Sequence, residues 1–198
     1  SSPSSFTIMD SLLYFVADDG ATGRELWKSD GTPTGTVRVA DINPNAGSSD
    51  PSFLTVMGGL LYFAADDGAS GYELWKTNGT QAGTAQVIDI SPNADPSNPQ
   101  SLVAIGNILY FEAGDGTNGQ ELWKSDGTQA GTIMVKNINT NADGHSSPHQ
   151  FTLVDNIVYF IADDGTGDEL WKTDGTEAGT VMVTNLNPSG IGVSEIFK

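Results

Sequence analysis

The sequence has no cysteine, few basic residues and no long apolar run. Without cysteine, a disulfide framework and thiol chemistry are excluded, and the redox compartment stays open. Only 8 Lys and Arg stand against 25 Asp and Glu, which gives a formal net charge of −17. This charge repels nucleic-acid phosphates and anionic membranes, whereas it favours cationic ligands and metal ions. The apolar runs are shorter than the roughly 18 residues of a membrane span, so we expect neither nucleic-acid binding nor membrane insertion.

What the sequence does contain is one unit that is repeated four times. Its four tryptophans lie 48 residues apart, at Trp27, Trp75, Trp123 and Trp171. The surrounding segments read RELWKSDGTPTGT, YELWKTNGTQAGT, QELWKSDGTQAGT and DELWKTDGTEAGT. A fixed period of this length indicates a repeat architecture. We place the units at about residues 4–42, 52–90, 100–138 and 149–186 of one repeat domain, 1–198.

Each unit is predicted to fold as four short β-strands. In the first unit these are Phe6–Met9, Leu12–Ala17, the Glu-Leu-Trp-Lys segment and Thr36–Ile42. Two-residue turns such as Asp10-Ser11 join the first two strands, because these residue types tolerate positive φ. The second and third strands are apolar on both faces, so both faces of each sheet must be covered.

Stacking of sheets around an axis covers both faces, and the repeat length fits a propeller blade. The sequence therefore predicts an all-β propeller built from four four-stranded antiparallel blades. Two closures stay open: a four-bladed ring, or an eight-bladed ring made by a homodimer. Residues 193–198 are interpreted as the start of a further strand or as a closure strand.

The motif Glu-Leu-Trp-x-x-Asp-Gly-Thr is intact at residues 25–32, 121–128 and 169–176, and Asn78 replaces its Asp in the second copy. It resembles the ELWxxDGT repeat of large bacterial surface or secreted proteins, over essentially the whole chain. The resemblance implies an extracellular or cell-surface repeat protein, often part of a longer polypeptide. The family has no assigned reaction, so the resemblance implies architecture and location rather than an activity.

The repeated motif residues are interpreted as structural. The Asp of the turn accepts backbone hydrogen bonds while the Gly takes positive φ, and Asn serves equally well. Each Trp belongs to the core rather than to a sugar-stacking platform. Each Lys is expected to form an ion pair with a carboxylate of the Asp19 or Glu25 series. The set comprises Glu25, Trp27, Lys28, Asp30, Glu73, Trp75, Lys76, Asn78, Glu121, Trp123, Lys124, Asp126, Glu169, Trp171, Lys172 and Asp174.

A metal site is considered at the Gly-rich loop that follows the second strand. Its recurring carboxylates are Asp19, Asp67, Asp115 and Asp164. Carboxylates and loop carbonyls suit Ca²⁺, although acidic Gly loops more often only turn the chain. No cofactor is required by the sequence, and Ca²⁺ is the one candidate ion.

Three functions are weighed, and a non-catalytic extracellular binding or scaffold module leads. The alternative is a carbohydrate-binding propeller with pockets between blades, so the expected partner is a protein or a glycan. A hydrolase needs catalytic groups that break the repeat. The obvious breaks are His145, His149, Arg24 and Asp168. They are few and dispersed, so no catalytic residues are assigned and we do not expect an enzyme.

Overall fold

The computed structural model describes residues 2–92, 95–142 and 144–185. Within these ranges the chain folds into four antiparallel sheets of four strands, each in sequential order. We call them blades 1 to 4. The prediction for residues 193–198 lies outside the described residues.

The strands of blades 1 and 2 are β1 (Ser4–Met9), β2 (Leu12–Asp18), β3 (Arg24–Ser29), β4 (Val37–Arg38), β5 (Ser52–Met57), β6 (Leu60–Asp66), β7 (Tyr72–Thr77) and β8 (Ala85–Ile88). Those of blades 3 and 4 are β9 (Gln100–Ile105), β10 (Ile108–Gly114), β11 (Gln120–Ser125), β12 (Ile133–Lys136), β13 (His149–Val154), β14 (Ile157–Asp163), β15 (Asp168–Thr173) and β16 (Val181–Thr184). A 3₁₀ turn occupies Gln81–Gly83. No helix among the described residues is long and apolar enough to cross a membrane.

The first hairpins of blades 1 and 2 have the predicted turn. Asp10 and Ser11 have φ of 50° and 63°, and Gly58 and Gly59 have φ of 58° and 77°. Positive φ at both positions suits the right-handed twist of the paired strands. In blades 3 and 4 only the first turn residue has positive φ, with 61° at Gly106 and 54° at Asp155. The innermost strand begins two residues earlier than predicted. In blade 1 it begins at Ser4 and carries a register irregularity between Ser4 and Thr7.

The fourth strand of blade 1 is shorter than the predicted Thr36–Ile42, since only Val37 and Arg38 are in β4. The N–H of Val39 still donates to Leu26 O at 2.8 Å. The N–H of Ile42 instead donates to the Glu25 carboxylate at 3.2 Å. The strand therefore ends where a buried side chain takes over the backbone donor.

Consecutive blades pack face to face through three apolar clusters. The first joins Tyr14 and Leu26 of blade 1 to Leu61 and Phe63 of blade 2. The other two clusters join blade 2 to blade 3 and blade 3 to blade 4 in the same way. Each fully buried Leu or Phe contributes about 1.5–3 kcal/mol. The expectation that both faces of these strands are covered is confirmed at the three internal junctions.

The two outer faces of the stack are uncovered among the described residues. We call the face toward the preceding blade the leading face and the other the trailing face. On the leading face, Leu13 of blade 1 is 37% exposed, whereas its equivalents Leu61 and Leu109 are fully buried. On the trailing face, Val183 of blade 4 is 42% exposed, whereas its equivalent Val39 is 5% exposed. The described blades thus form an open arc.

Candidate functional site

The repeated lysines join one blade to the next. Lys28 Nζ donates to Gly79 O at 2.8 Å, Lys76 Nζ to Gly127 O at 2.8 Å, and Lys124 Nζ to Gly175 O at 2.7 Å. The ion pairs among described residues are Arg24–Asp50 and Arg38–Asp41. The predicted pairing of these lysines with the Asp19 or Glu25 series is therefore wrong. A backbone carbonyl of the following turn, brought close by blade stacking, accepts the ammonium instead.

The repeated glutamates hold the segment that leads out of each blade. Glu73 accepts hydrogen bonds from the N–H of Ile90 at 3.0 Å, the N–H of Ser97 at 2.9 Å and the Ser97 hydroxyl at 2.6 Å. Glu25 and Glu121 bind the equivalent groups of Ser49 and Ser146. Burial raises the pKa of Glu73, while these hydrogen bonds act in the opposite direction. These carboxylates are fully engaged in structure.

The Asp-Gly-Thr turn is closed by its own side chains. Asp30 Oδ1 accepts from the Thr32 N–H at 2.9 Å and from the Thr32 hydroxyl at 2.7 Å. Asn78 Oδ1 accepts the same two bonds from Thr80, at 3.0 and 2.7 Å. The hydrogen bond from the Thr32 hydroxyl lowers the pKa of Asp30. The turn needs an acceptor oxygen and not a charge, as the sequence interpretation supposed.

The carboxylates considered for Ca²⁺ turn toward their own loop. Asp19 Oδ1 accepts from the N–H groups of Ala21 and Thr22, each at 2.9 Å. These backbone hydrogen bonds lower the pKa of Asp19. Equivalent bonds to the same loop are made by Asp67, Asp115 and Asp164. No group of three or more acidic, His or Cys side chains is placed to hold a metal ion within residues 2–92, 95–142 and 144–185.

The tryptophans pack with the blade-to-blade clusters. Trp123 and Trp171 are 8% and 6% exposed, and both belong to such clusters. Trp75 packs partly buried against the first cluster. The Trp27 indole N–H donates to Ala17 O at 3.0 Å. Four exposed aromatic platforms are thus not present.

Four of the positions that differ between repeats come together near the ends of the inner strands. Two of them lie at the start of the inner strand of each blade: the residue before the Pro that precedes this strand, and the first residue of the strand. The other two are one position in the middle of the second strand and the first residue of the third strand. We call all four the variable junction positions. In the described chain they are Ser2, Asp50, Asn98, Ser147, Ser4, Ser52, Gln100, His149, Val16, Ala64, Glu112, Ile161, Arg24, Tyr72, Gln120 and Asp168.

The variable positions of blades 2 and 3 line a pocket of about 300 Å³. Tyr72 supplies an aromatic ring, Asn98 and Gln100 supply amides, and Asp50 supplies a carboxylate. Burial raises the pKa of the Tyr72 phenol, and the charge of Asp50 raises it further. This negative surrounding disfavours anionic ligands and suits neutral or cationic ones.

Between blades 1 and 2 the same positions are occupied by an ion pair. Arg24 Nε donates to Asp50 Oδ1 at 2.8 Å, and Arg24 Nη2 donates to Ser4 Oγ at 3.1 Å. The guanidinium thus joins the first residue of β1 to the segment that precedes the second blade. Because Asp50 also lines the neighbouring pocket, Arg24 fixes one of its walls.

Between blades 3 and 4 the variable positions bring together an acid and a histidine. Glu112 is 8% exposed, and burial raises the pKa of its carboxyl despite a hydrogen bond from Ser147. His149 Nδ1 lies 2.9 Å from Ser147 O. His145 Nδ1 accepts from the Gln120 N–H at 2.9 Å. Arg24 and Asp168, named as breaks in the sequence, occupy the same repeat position in distant blades, so the structure does not bring them together.

The sequence analysis missed Asp50, Tyr72, Asn98, Gln100 and Glu112. A signal for Glu112 was available, because it interrupts a position that is otherwise Val16, Ala64 and Ile161 in strands of the same pattern. For the others the signal was variation itself within a regular repeat. The sequence does not reveal how two neighbouring blades are placed relative to each other, and this placement brings their residues around one pocket.

No family model matches the chain, and no curated protein matches it. Among solved structures it is similar to the β-propeller domain of the Trilobed protease from Pyrococcus furiosus, with a TM-score of 0.58 and 13% identity, over 92% of this chain and 55% of that one. It is similar to a puromycin-hydrolyzing peptidase from Mycobacterium tuberculosis, with a TM-score of 0.62 and 10% identity, over 98% of this chain and 30% of that one.

TolB from Acinetobacter baumannii is a further similar structure, with a TM-score of 0.53 and 10% identity, over 88% of this chain and 41% of that one. The chain thus spans less than two thirds of the length of each of these three proteins. At such identities the likeness concerns the fold and not the activity. Over its described residues the chain thus forms four consecutive four-stranded sheets that are similar in fold to the blades of β-propeller domains.

Proposed function

We propose that the chain is a non-catalytic binding module whose ligands contact the variable junction positions. The supporting observation is that the variable junction positions converge between neighbouring blades, while the repeated residues are used in packing and hydrogen bonding. A rigid scaffold with differing side chains at one rim is the usual arrangement of a recognition surface.

For the pocket between blades 2 and 3 we propose an uncharged carbohydrate as the ligand. Tyr72 offers a ring face with a polar tip, and Asn98 and Gln100 offer both donors and acceptors. A pocket of about 300 Å³ is at the small end of ligand sites. One or two sugar rings fit such a space better than an extended peptide.

The test is binding of the chain to an array of neutral oligosaccharides, followed by titration calorimetry with the best of them. Tyr72→Ala is expected to weaken this binding about tenfold or more, because it removes the aromatic wall. Gln120→Ala changes the equivalent position of blade 3 and serves as the matched control, which is expected to leave the affinity unchanged. Absence of any bound oligosaccharide, or equal affinity of the Tyr72→Ala variant, would overturn the carbohydrate proposal.

The non-catalytic part of the proposal is supported at the blade 3–4 junction. His149 contacts Ser147 at the backbone carbonyl, and the Ser147 hydroxyl is hydrogen-bonded to Glu112. A nucleophile paired with a histidine base would need the hydroxyl at the imidazole. Ester and peptide substrates are expected to show no turnover. Hydrolysis that is lost in a Glu112→Gln or His149→Ala variant would contradict this assignment.

We propose that binding requires no metal ion. The Asp19, Asp67, Asp115 and Asp164 carboxylates already accept hydrogen bonds from their own loops. Addition of Ca²⁺ or of a chelator is expected to change neither the carbohydrate affinity nor the melting temperature. A Ca²⁺-dependent rise in melting temperature that disappears in Asp67→Asn would show the opposite.

An extracellular or cell-surface location in a bacterium is proposed from the resemblance of the four motif copies to the ELWxxDGT repeat. Detection of the protein in the medium or on intact cells of its source would support this location. Recovery in the cytoplasmic fraction alone would contradict it.

A further inference from the structure

The three internal junctions share one set of contacts. At each, a Lys of the trailing face donates its Nζ to the Gly carbonyl of the next Asp-Gly-Thr or Asn-Gly-Thr turn, at 2.7–2.8 Å. A Tyr of the same trailing face covers that Gly. Tyr14 lies against Gly79, Tyr62 against Gly127 and Tyr110 against Gly175. We call this Lys–Tyr–Gly contact the junction latch.

The junction latch combines a buried Tyr with a partly buried Lys, and in two of its three copies the Lys lies beside an acidic turn. Tyr14, Tyr62 and Tyr110 are buried, and so are Thr77 and Ser125, which begin two of the turns. Hydrogen bonds from Thr128 lower the pKa of Asp126, and the charge of Lys76 lowers it further. The latches of Lys76 and Lys124 thus place a scarce cation beside the acidic turn of the next blade, in a chain with a formal net charge of −17. The turn that Lys28 contacts carries the neutral Asn78 in place of the Asp.

The arc carries both halves of a fourth latch, at opposite ends. On blade 4, Tyr159 and Lys172 occupy the latch positions and are only partly buried. On blade 1, Gly31 is exposed and its Cβ direction meets no atom within 4 Å. Within the described ranges, Lys172 has no hydrogen bond to that turn. The exposed apolar side chains beside the two half-latches are Leu13 on blade 1, and Val154 and Val183 on blade 4.

We propose that a second copy of the chain docks on these ends, so that Lys172 and Tyr159 of each copy close on the Gly31 turn of the other. The contact is head to tail and occurs twice about one two-fold axis, which gives a closed ring of eight blades. It deepens the proposed function by completing the ring that carries the pocket. The pocket lies at an internal junction, so carbohydrate binding and ring closure can fail separately.

The curvature of the arc favours a second copy over closure by the chain on itself. The propeller domain of the Trilobed protease is matched over 55% of its length by 92% of this chain, so that domain is longer than the four described blades. A ring of similar curvature therefore holds more than four blades and is not closed by one copy. A ring of four would require each blade to turn twice as far relative to its neighbour as a ring of eight. The uncovered Leu13 and Val183 show that blades 1 and 4 of one chain do not meet.

The first experiment is sedimentation equilibrium of the full chain at physiological ionic strength, where repulsion between the acidic copies is screened. The expected mass is twice the chain mass of 20.8 kDa. A mass of 20.8 kDa at every accessible concentration would overturn the proposal, as would a trimer or an open series of larger species.

The second experiment uses Lys172→Met, which removes the ammonium and keeps the stem. The loss of one hydrogen bond from a charged donor lowers an association constant about tenfold. The symmetric ring loses two such hydrogen bonds, so the dimerisation constant is expected to fall about a hundredfold. Lys172→Glu is expected to weaken it further, because it places a carboxylate beside Asp30. Among the described residues the Lys172 ammonium makes no hydrogen bond or ion pair within its own chain, so the variants are expected to unfold like the parent.

The matched control is Gln129→Glu, which changes the charge by the same amount as Lys172→Met. Gln129 is exposed in the turn of blade 3, and blade 4 carries Glu177 at this repeat position. The control is expected to dimerise like the parent. Equal weakening by Gln129→Glu, or a dimer that Lys172→Glu leaves intact, would show that the copies associate through another surface or through net charge alone.

Discussion

The buried glutamates Glu25, Glu73 and Glu121 accept hydrogen bonds from the segment that connects their blade to the next. Glu73 is fully buried, and its two oxygens collect donors from Ile90 and Ser97. A buried N–H without an acceptor costs about 1–3 kcal/mol, so the carboxylate matters more for what it satisfies than for its own charge.

Glu73→Ala is expected to lower the free energy of unfolding by about 3 kcal/mol, because two buried N–H groups and a hydroxyl lose their acceptor. Urea unfolding measures the change. Glu177→Ala, which truncates an exposed carboxylate, is the control and should stay within about 0.5 kcal/mol of the parent. A similar cost in both variants would contradict the role of Glu73.

Burial also makes Glu73 a source of pH dependence. Its folded-state pKa is raised above the ordinary value of 4.5. The stability that this group contributes is therefore fully present below pH 4.5 and is lost as the pH rises through the folded-state pKa. Glu73→Gln keeps the shape without the ionisation, so we expect a smaller decline in unfolding free energy above pH 4.5. An unchanged slope in chemical unfolding across this range would count against burial as its cause.

The latch lysines act between blades. Lys76→Met removes a charged hydrogen bond to Gly127 O and is expected to lower the free energy of unfolding by about 2 kcal/mol. Lys172→Met is the matched control in dilute solution, where no second blade face is present, and it should cost less than about 0.5 kcal/mol. Equal effects of the two substitutions would show that the lysines act through charge alone and not through the junction.

At the scale of an element, the turn between the third and fourth strands is closed by its own Asp or Asn. In blades 2, 3 and 4 the Gly of this turn packs against a Tyr of the preceding blade. Glycine is required at this position for two reasons, the positive φ and the close approach of the Tyr. The two can be separated because one of the four described turns faces no preceding blade of the same chain. Gly79 has φ of +84° and contacts the Tyr14 hydroxyl along its Cβ direction, whereas Gly31 has φ of +92° and open space.

Gly31→Ala is therefore expected to cost about 1 kcal/mol, from the positive φ alone. Gly79→Ala also adds a methyl group against Tyr14, so it is expected to lower the free energy of unfolding by about 1–3 kcal/mol more. Thermal unfolding of both variants in dilute solution makes the comparison. Equal losses would mean that the backbone conformation, and not the blade contact, requires glycine.

Over the whole molecule, acidic charge opposes compactness. A net charge of −17 in 198 residues gives a self-repulsion that no local contact removes. The lysine contacts that offset it are partly buried and respond less to salt than the exposed carboxylates do.

The melting temperature is accordingly expected to rise when the ionic strength increases from about 0.01 M to about 0.15 M, since the screening length falls from about 30 Å to about 8 Å. Calorimetry with sodium chloride measures this rise, and an equal osmolality of an uncharged solute is the control. A falling melting temperature would mean that exposed ion pairs, rather than self-repulsion, dominate the electrostatics.

The sequence by itself determined the four units, their four strands and the apolar character of the second and third strands, because hydrophobic patterning and turn chemistry act over a few neighbouring residues. It also determined that the Asp-Gly-Thr turn is structural, since Asn78 replaces Asp without loss of the acceptor. Only the tertiary structure decided the partners of Lys28, Lys76 and Lys124, the pocket at Tyr72 and the burial of Glu112. These depend on residues from adjacent blades, and the relative placement of two blades is fixed by packing across their faces, which no local pattern records.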